Sequence, residues 1–143
     1  MLGPKTYKFK KTYKPLITGT SHSYLAYGNF GIQALEPGTI STSQIESVRR
    51  VLTKSSKKQG DIWIRVFPHF TVTKKPLQSR MGGGKGNVEG WIGKVETNQI
   101  IFEFSAPISL AVAKLAVKIA SSKLPFKIKF LKKEQNDTKT NSS

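Results

Sequence analysis

The chain has 143 residues and a formal net charge of +16, with 24 lysine and arginine residues against 8 acidic residues. Its length fits one domain with short extensions, and its lack of cysteine excludes a disulfide framework, a thiolate metal site and a cysteine nucleophile. No apolar run approaches the ~20 residues that a membrane span needs. A charge of this size favours a polyanionic partner. Because the charge is spread along the whole chain, nucleic acid is favoured over an anionic lipid surface.

Residues 1–24 are predicted to form an extended basic arm. Pro4 and Pro15 oppose a helix there, and lysines interleave with aromatic residues. Lysines can contact phosphates while aromatic rings stack on unpaired bases, so the pattern suits RNA. A solvated, disordered tail is the alternative. The residues concerned are Lys5, Lys8, Lys10, Lys11 and Lys14, with Tyr7, Phe9 and Tyr13.

A short strand over residues 30–35, stopped at Pro37-Gly38, and then a helix over about residues 42–56 are predicted next. Ser41 is a natural N-cap for this helix, and Gln44 stands at the capping-box position. Ile45, Val48 and Leu52 form its apolar stripe. Its C-terminal half carries more cations than the helix dipole requires, which indicates an anion-binding face, with a solvated face as the alternative. These cations are Arg49, Arg50, Lys54, Lys57 and Lys58.

Residues 61–67 have bulky side chains on both faces and are predicted to form a central strand, stopped by Pro68. A long irregular loop is predicted over residues 69–87. Residues 88–95 and 100–104 are predicted to form a hairpin. This hairpin could bring three glutamates together, although ordinary surface charge is the commoner explanation; they are Glu89, Glu96 and Glu103.

A second helix is predicted over about residues 107–122, with Pro107 in its first turn. Its predicted apolar stripe contains Leu110, Ala113, Val117 and Ala120, broadened by Ile108, Val112, Leu115 and Ile119. A half-buried last strand contains Phe126, Ile128 and Phe130, and the polar residues 132–143 are predicted to be disordered. The order of elements predicts a single α+β domain over residues 25–131, a mixed or antiparallel sheet with two helices packed on one face.

The strongest local feature is the segment Arg80-Met-Gly-Gly-Gly-Lys-Gly86. Its glycines permit a close backbone approach and positive φ angles. Exposed amides between two cations predict a phosphate-contact loop, with a flexible surface linker as the alternative. The segment is not a Walker A loop, because Lys85 is followed by Gly86 rather than by serine or threonine.

Catalytic and metal-binding patterns are weak in this sequence. His22 and His69 are the only histidines, and neither has an acidic cluster near it in the sequence. We find no nucleophile–base pair and no metal-ligand spacing. The sequence therefore predicts no catalytic residue, no metal and no cofactor. A nuclease that uses one of the histidines is the weakest of the functional hypotheses.

Several segments resemble one family when they are taken together. They are Met1-Leu-Gly-Pro-Lys5, Gly28-Asn-Phe-Gly31, Gln44-Ile-Glu46, Gln59-Gly-Asp-Ile-Trp-Ile-Arg-Val-Phe-Pro68, Lys75-Pro-Leu77, Arg80-Met-Gly-Gly-Gly-Lys-Gly-Asn87, Trp91 and Lys123-Leu-Pro125. In order and spacing over residues 1–131, this set resembles the large-subunit ribosomal protein sixteen family of the bacterial and organellar type. The chain departs from the family pattern at residues 15–24, which lack arginine and lysine, at His69 and at Gly90.

The resemblance implies a structural protein of the large ribosomal subunit, with no enzymatic activity, cofactor, membrane contact or small-molecule substrate. Its implied partners are large-subunit rRNA, the A-site tRNA and neighbouring ribosomal proteins. The loop residues Arg80, Met81, Gly82, Gly83, Gly84, Lys85 and Gly86 would lie near the peptidyl-transferase centre, and Arg80 stands where some bacterial members carry a modified arginine. The implied rRNA-binding residues are Lys5, Lys8, Lys10, Lys11, Lys14, Arg49, Arg50, Lys54, Lys57, Arg65 and Lys85.

Two further expectations concern location and the alternative function. Met1 matches the start of the family, and the chain diverges from bacterial and plastid patterns. We therefore expect an organelle-encoded protein of the mitochondrial matrix, with a plastid or the bacterial cytoplasm as alternatives. The alternative function is that of a free-standing RNA-binding or RNA-chaperone module that uses the arm and the loop on single strands.

Overall fold

The computed structural model describes residues 2–22 and 24–133. It confirms the α+β class, with two helices and seven antiparallel strands among these residues. The elements in chain order are β1 (Phe30–Ala34), β2 (Gly38–Ser41), α1 (Thr42–Ser55), β3 (Asp61–Ile64), β4 (Phe70–Lys74), β5 (Asn87–Val95), β6 (Ile100–Ser105), α2 (Leu110–Ser121) and β7 (Ile128–Lys132). Neither helix is long and apolar enough to cross a membrane.

The strands form two sheets rather than the single predicted sheet. One sheet has the order β3-β6-β1-β7 and the other has the order β2-β5-β4. A single buried apolar cluster takes side chains from both sheets and both helices, with Ile32, Ile40 and Phe102 among its fully buried members. The sheets are therefore held together by burial of apolar surface, which the period-2 pattern of each strand supplies.

The predicted hairpin is wrong because β5 and β6 belong to different sheets. The turn between them directs the chain away from β5. Asn98 has a positive φ of 64°, and its backbone N–H donates to the carbonyl oxygen of Ala34 at 2.9 Å. The strands themselves are present. Strand pairing is decided by contacts with strands that are distant in the sequence. These contacts, rather than the short connection between β5 and β6, determine the sheet to which each strand belongs.

Two predictions in the middle of the chain are also wrong. β3 is an edge strand that ends at Ile64. Its bulky Trp63 lies against the ring of Tyr27, with centroids 6.0 Å apart, so a segment that follows the arm covers it. The loop predicted over residues 69–87 contains β4, whose Thr71 pairs with Trp91 of β5. The irregular part is limited to residues 75–86.

The first helix is confirmed and the second differs at its start. α1 has the capping box that the sequence predicts, with Ser41 and Gln44 bonded in both directions. α2 begins at Leu110 with Ser109 as its N-cap, so Pro107 precedes the helix. Of the predicted apolar stripe, Leu110, Val112, Leu115 and Ile119 are 40–56% exposed, whereas Ile108 packs against the core. Only a narrow band of α2 packs on the domain, where α2 contacts α1.

The C-terminal boundary lies slightly beyond its predicted position. β7 extends to Lys132, and the backbone N–H of Lys133 donates to the carbonyl oxygen of Asn29 at 2.8 Å. The remainder of the predicted tail, residues 134–143, lies outside the described residues.

Candidate nucleic-acid interface

The basic arm lies against the three-stranded sheet. Thr12 and Thr71 bond each other twice: the N–H of Thr12 donates to Oγ1 of Thr71 at 2.9 Å, and the N–H of Thr71 donates to Oγ1 of Thr12 at 3.0 Å. The two hydroxyls are also within hydrogen-bond distance of each other, at 3.0 Å. Because Thr71 is buried, this contact fixes the middle of the arm on β4.

Trp91 of β5 fixes the start of the arm. The ring of Tyr7 meets the ring of Trp91 edge to face, with centroids 5.0 Å apart. A Cβ atom on Gly3 would lie 3.0 Å from the Trp91 ring, so the backbone passes close to it there. Tyr7 therefore packs on the domain, whereas Phe9 and Tyr13 are 66% and 90% exposed. Of the three aromatic residues predicted to stack on bases, these two present most of their surface.

Lys85 joins the arm to the base of the glycine-rich loop. Its Nζ donates to the carbonyl oxygen of Thr12 at 2.6 Å and lies 4.6 Å from the ring centroid of Tyr13. In return, Nζ of Lys11 donates to the carbonyl oxygen of Lys85 at 2.8 Å. Cation–π contact and hydrogen bonding thus act on the same ammonium group. The sequence did not predict this junction, because its partners are over seventy residues apart.

The tip of the glycine-rich loop projects from the domain. Gly82, Gly83 and Gly84 all have positive φ angles, and a Cβ atom on any of them would meet nothing within 4 Å. Nζ of Lys75 donates to the carbonyl oxygen of Gly82 at 2.7 Å, so the loop folds back on its own stem. Met81 is 99% exposed. The glycines are therefore required by backbone conformation and not by packing.

A shallow groove lies between the arm and the sheet. Its volume is about 410 Å³, and Tyr13, Thr39, Thr73 and Lys85 are among its lining residues. Threonine hydroxyls can donate and accept hydrogen bonds, and an exposed aromatic ring can stack on a base. The groove therefore places hydroxyl groups beside an aromatic ring and an ammonium group.

Arg49 and Arg50 share a carboxylate on α1. Arg49 contacts Glu46 through Nε at 2.8 Å and Nη2 at 2.7 Å, and Nε of Arg50 contacts the same group at 3.1 Å. Hydrogen bonds from these two guanidinium groups lower the pKa of Glu46 to about 2. Glu46 therefore stays ionised and orients both arginines, which still expose 41% and 75% of their side chains.

Arg65 and Glu103 form an internal ion pair. Nη1 of Arg65 lies 2.7 Å from Oε1 of Glu103, whose side chain is completely buried. Backbone N–H groups of residues 26–28 also donate to this carboxylate. Burial acts to raise the pKa of Glu103, but the hydrogen bonds from these amides and from Arg65 outweigh it, and the pKa is lowered.

This ion pair was the principal omission of the sequence analysis. A lone carboxylate within the apolar run Ile-Ile-Phe-Glu-Phe of β6 is the signal that could have revealed it, because such a group needs a buried partner. The three glutamates are not brought together. Glu89 pairs with Lys74, Glu96 pairs with Lys94, and Glu103 is buried with Arg65.

The other predicted rRNA-binding cations are exposed. Lys57 follows the C-cap of α1 and is in the left-handed region, with φ of 52°, which turns the chain at the cationic end of the helix. Nζ of Lys8 lies 5.6 Å from the ring centroid of Phe9. The exposed set consists of Lys5, Lys8, Lys10, Lys14, Lys54, Lys57 and, on the loop, Arg80. The structure thus presents cations on the arm, the helix end and the loop.

Neither histidine forms an ion pair with an acidic residue in the part of the chain that the structure describes. His69 is exposed, and its Nδ1 contacts the carbonyl oxygen of Phe67 at 3.0 Å. His22 is exposed as well. Within residues 2–22 and 24–133, no group of three or more histidine and acidic residues could hold a metal ion.

Comparisons with known proteins agree with the sequence resemblance. A family model described as ribosomal protein L16p/L10e matches residues 4–131. Large ribosomal subunit protein uL16 of Staphylococcus aureus strain Newman is 46% identical over 145 aligned positions, which cover 100% of both chains. The proteins of the same name from strains JH1 and Mu3 show the same identity and coverage.

Proposed function

This chain belongs to the ribosomal protein L16p/L10e family, and from that premise we propose that it binds large-subunit rRNA and supports A-site tRNA beside the peptidyl-transferase centre. Members of the family are structural proteins of the large ribosomal subunit, so the expectation that the chain is not an enzyme is confirmed. As a protein of the large ribosomal subunit, the chain has rRNA and other large-subunit proteins as its partners. The tRNA contact and the residues that make it are the finer parts of the proposal.

The observation that carries the tRNA contact is the projecting loop. Its stem is fixed by the Lys85 hydrogen bond to Thr12, and its tip presents Arg80 beside the glycines. Exposed amides and one arginine can meet phosphate and ribose oxygens at close range. We propose that Arg80, Met81 and Gly82 to Gly86 face the acceptor end of tRNA.

The rRNA contacts are proposed on the exposed cations. The arm, the end of α1 and the loop supply point charges to phosphates. Arg49 and Arg50 can each offer guanidinium N–H groups that Glu46 does not use. Arg65 forms an ion pair with buried Glu103. Among the proposed residues, we therefore expect Arg65 to contribute least to phosphate binding.

A photoreactive tRNA tests the tRNA part of the proposal. Large subunits containing the chain would be bound to tRNA with a crosslinker at its acceptor end in the A site. We expect crosslinks within residues 80–86, reduced when residues 82–84 are deleted and unchanged by Lys129→Ala on β7. Crosslinks to rRNA alone, in particles that contain the chain, would contradict the loop assignment.

The free-standing RNA-binding module is supported by one observation, the exposure of Phe9 and Tyr13. It requires binding to short unstructured RNA that is lost when Tyr7, Phe9 and Tyr13 are all changed to alanine. Because Tyr7 packs on Trp91, a Phe9→Ala/Tyr13→Ala variant is the cleaner comparison. Equal binding by this variant and the wild type would remove the module hypothesis.

The mitochondrial location is a finer proposal than ribosome membership. It rests on the departures from the bacterial and plastid patterns at residues 15–24, His69 and Gly90, while the relatives reported above are bacterial, and bacterial cytoplasm is the competing location. Fractionation of cells of the source organism would decide between them. Recovery with cytoplasmic bacterial ribosomes would overturn the mitochondrial proposal and leave the ribosomal role intact.

A further inference from the structure

α2 turns its small residues inward and its large apolar residues outward. The side chains it buries are Ala113, Ala116, Val117 and Ala120. Leu115 is 56% exposed, and Ile119 is 44% exposed. A helix that serves only its own domain buries its largest apolar side chains, because burial stabilises in proportion to apolar area removed from water. The opposite arrangement here indicates a surface that is completed by another molecule.

The exposed residues form a defined surface, which we call the outer stripe. It consists of Val112, Leu115 and Ile119, whose i, i+3, i+7 spacing places them in one line along the helix. Lys114 and Lys118 stand beside this line one turn apart, and α2 contains no acidic residue. The surface therefore combines an apolar line with two positive charges.

Three occupants fit this surface poorly. Residues 134–143 contain no large apolar side chain, so their composition offers nothing that would pack on an apolar line. A second copy would bring another charge of +16 against the lysines. RNA would satisfy the lysines with phosphates but would leave the apolar line against a strongly polar surface.

We propose that the outer face of α2 docks an acidic amphipathic segment of a neighbouring large-subunit protein. Apolar side chains of that segment pack on the outer stripe, and its carboxylates meet Lys114 and Lys118. This mode uses the same i, i+3, i+7 spacing by which helices are recognised through one apolar face. The inference rests on the proposed function only in placing the chain within the large subunit, and it assigns to α2 a role separate from the RNA-facing arm and loop.

Site-specific photocrosslinking in purified large subunits tests the docking surface. A photoreactive residue in place of Ile119 is expected to crosslink to a protein peptide that contains both apolar and acidic residues. Leu115→Lys, added to this background, should reduce the crosslink by about tenfold, since it puts a charge in place of a leucine that the docked segment would cover. Ser121→Lys is the matched control, because it adds the same charge to α2 outside the outer stripe and beside Lys118, and it should not reduce the crosslink.

The outcomes separate this inference from the proposed function. Crosslinks to rRNA, or no crosslink from chains that sediment with the large subunit, would overturn the docking surface and leave the ribosomal role standing. An equal effect of Leu115→Lys and Ser121→Lys would also overturn it, because overall charge would then be the cause. If wild-type chains fail to sediment with the large subunit at all, the proposed function fails first.

Discussion

Lys85 and Thr12 are joined by a hydrogen bond of 2.6 Å between the ammonium group and the carbonyl oxygen, although 73 residues separate them in the chain. Because Lys85 flanks the glycines, the sequence predicts that its ammonium group contacts phosphate. In the structure the same ammonium holds the arm to the stem of the loop. The position of the projecting tip therefore depends on how the arm is seated on the sheet.

Removing the Lys85 ammonium should loosen the junction without unfolding the domain. In Lys85→Met, we expect faster amide hydrogen exchange at Tyr13 and in the loop, because Thr12 loses its partner and the stem loses its anchor. Translation should fall more than incorporation into the subunit. Lys123→Met, which removes an exposed lysine elsewhere, is the control. An equal loss of translation and incorporation would show that Lys85 acts only in assembly.

Glu103 should contribute strongly to stability. In Glu103→Gln, an amide group replaces the carboxylate that accepts hydrogen bonds from backbone N–H groups. Arg65 also loses its charge partner. We expect the free energy of unfolding to fall by about 2–3 kcal/mol, measured by urea denaturation at pH 7. Glu89→Gln is the matched control, because that carboxylate is exposed, and it should change stability by no more than about 0.5 kcal/mol.

The same carboxylate should make the fold sensitive to acid. The pKa of Glu103 is lower in the folded chain than its ordinary value, so its contribution is fully present above the unfolded pKa of about 4.3. That contribution is lost as the pH falls through the lower, folded value. Urea midpoints at pH 7 and pH 3.5 should differ less for Glu103→Gln than for the wild type. The same pH dependence in both proteins would refute this assignment.

Two glycines near the loop should respond in opposite directions to alanine. A Cβ atom on Gly86 would lie 2.6 Å from the carbonyl oxygen of Lys74, so Gly86→Ala should destabilise by about 1–3 kcal/mol. Gly90, on β5, has open space around a Cβ atom. Gly90→Ala should therefore be neutral or stabilising by up to about 1 kcal/mol. Thermal unfolding of both variants measures the difference.

RNA affinity should report which cations neutralise phosphates. A cation that contacts a phosphate reduces the slope of log affinity against log salt by about 0.7–0.9 when it is removed. Arg50→Ala is expected to show this change with an rRNA fragment, because most of its side chain is exposed. Arg65→Met should leave the slope nearly unchanged. Comparable slope changes in both variants would contradict the structural role given to Arg65.

Local signals in the sequence were sufficient for much of the fold. The capping box of α1 depends on residues three positions apart, so the sequence predicts the capping roles of Ser41 and Gln44 directly. The strand around Ile32 was found from its period-2 pattern. β4 was missed because Pro68 and His69 precede a threonine-rich run, and its pairing with β5 is what orders it.

The candidate interface also combines features that the sequence predicts with features that only the tertiary structure shows. The charge, the basic arm and the glycine-rich loop follow from composition and spacing, and the family follows from the resemblance of the sequence motifs to known members. The junction of Lys11 and Lys85 does not, because both hydrogen bonds join segments that are distant in the sequence. The sequence shows which residues are cationic. It does not show which of these cations already form hydrogen bonds or ion pairs within the chain.

The sequence by itself determined the elements whose causes are local, namely the first helix, most strands and the conformational freedom of the loop. Only the tertiary structure decided that β5 and β6 belong to different sheets, that Arg65 pairs with buried Glu103, and that α2 buries its alanines while exposing Leu115. The physical reason is that periodicity records which residues share a face. It does not record which face another element covers, because that depends on pairing between distant parts of the chain.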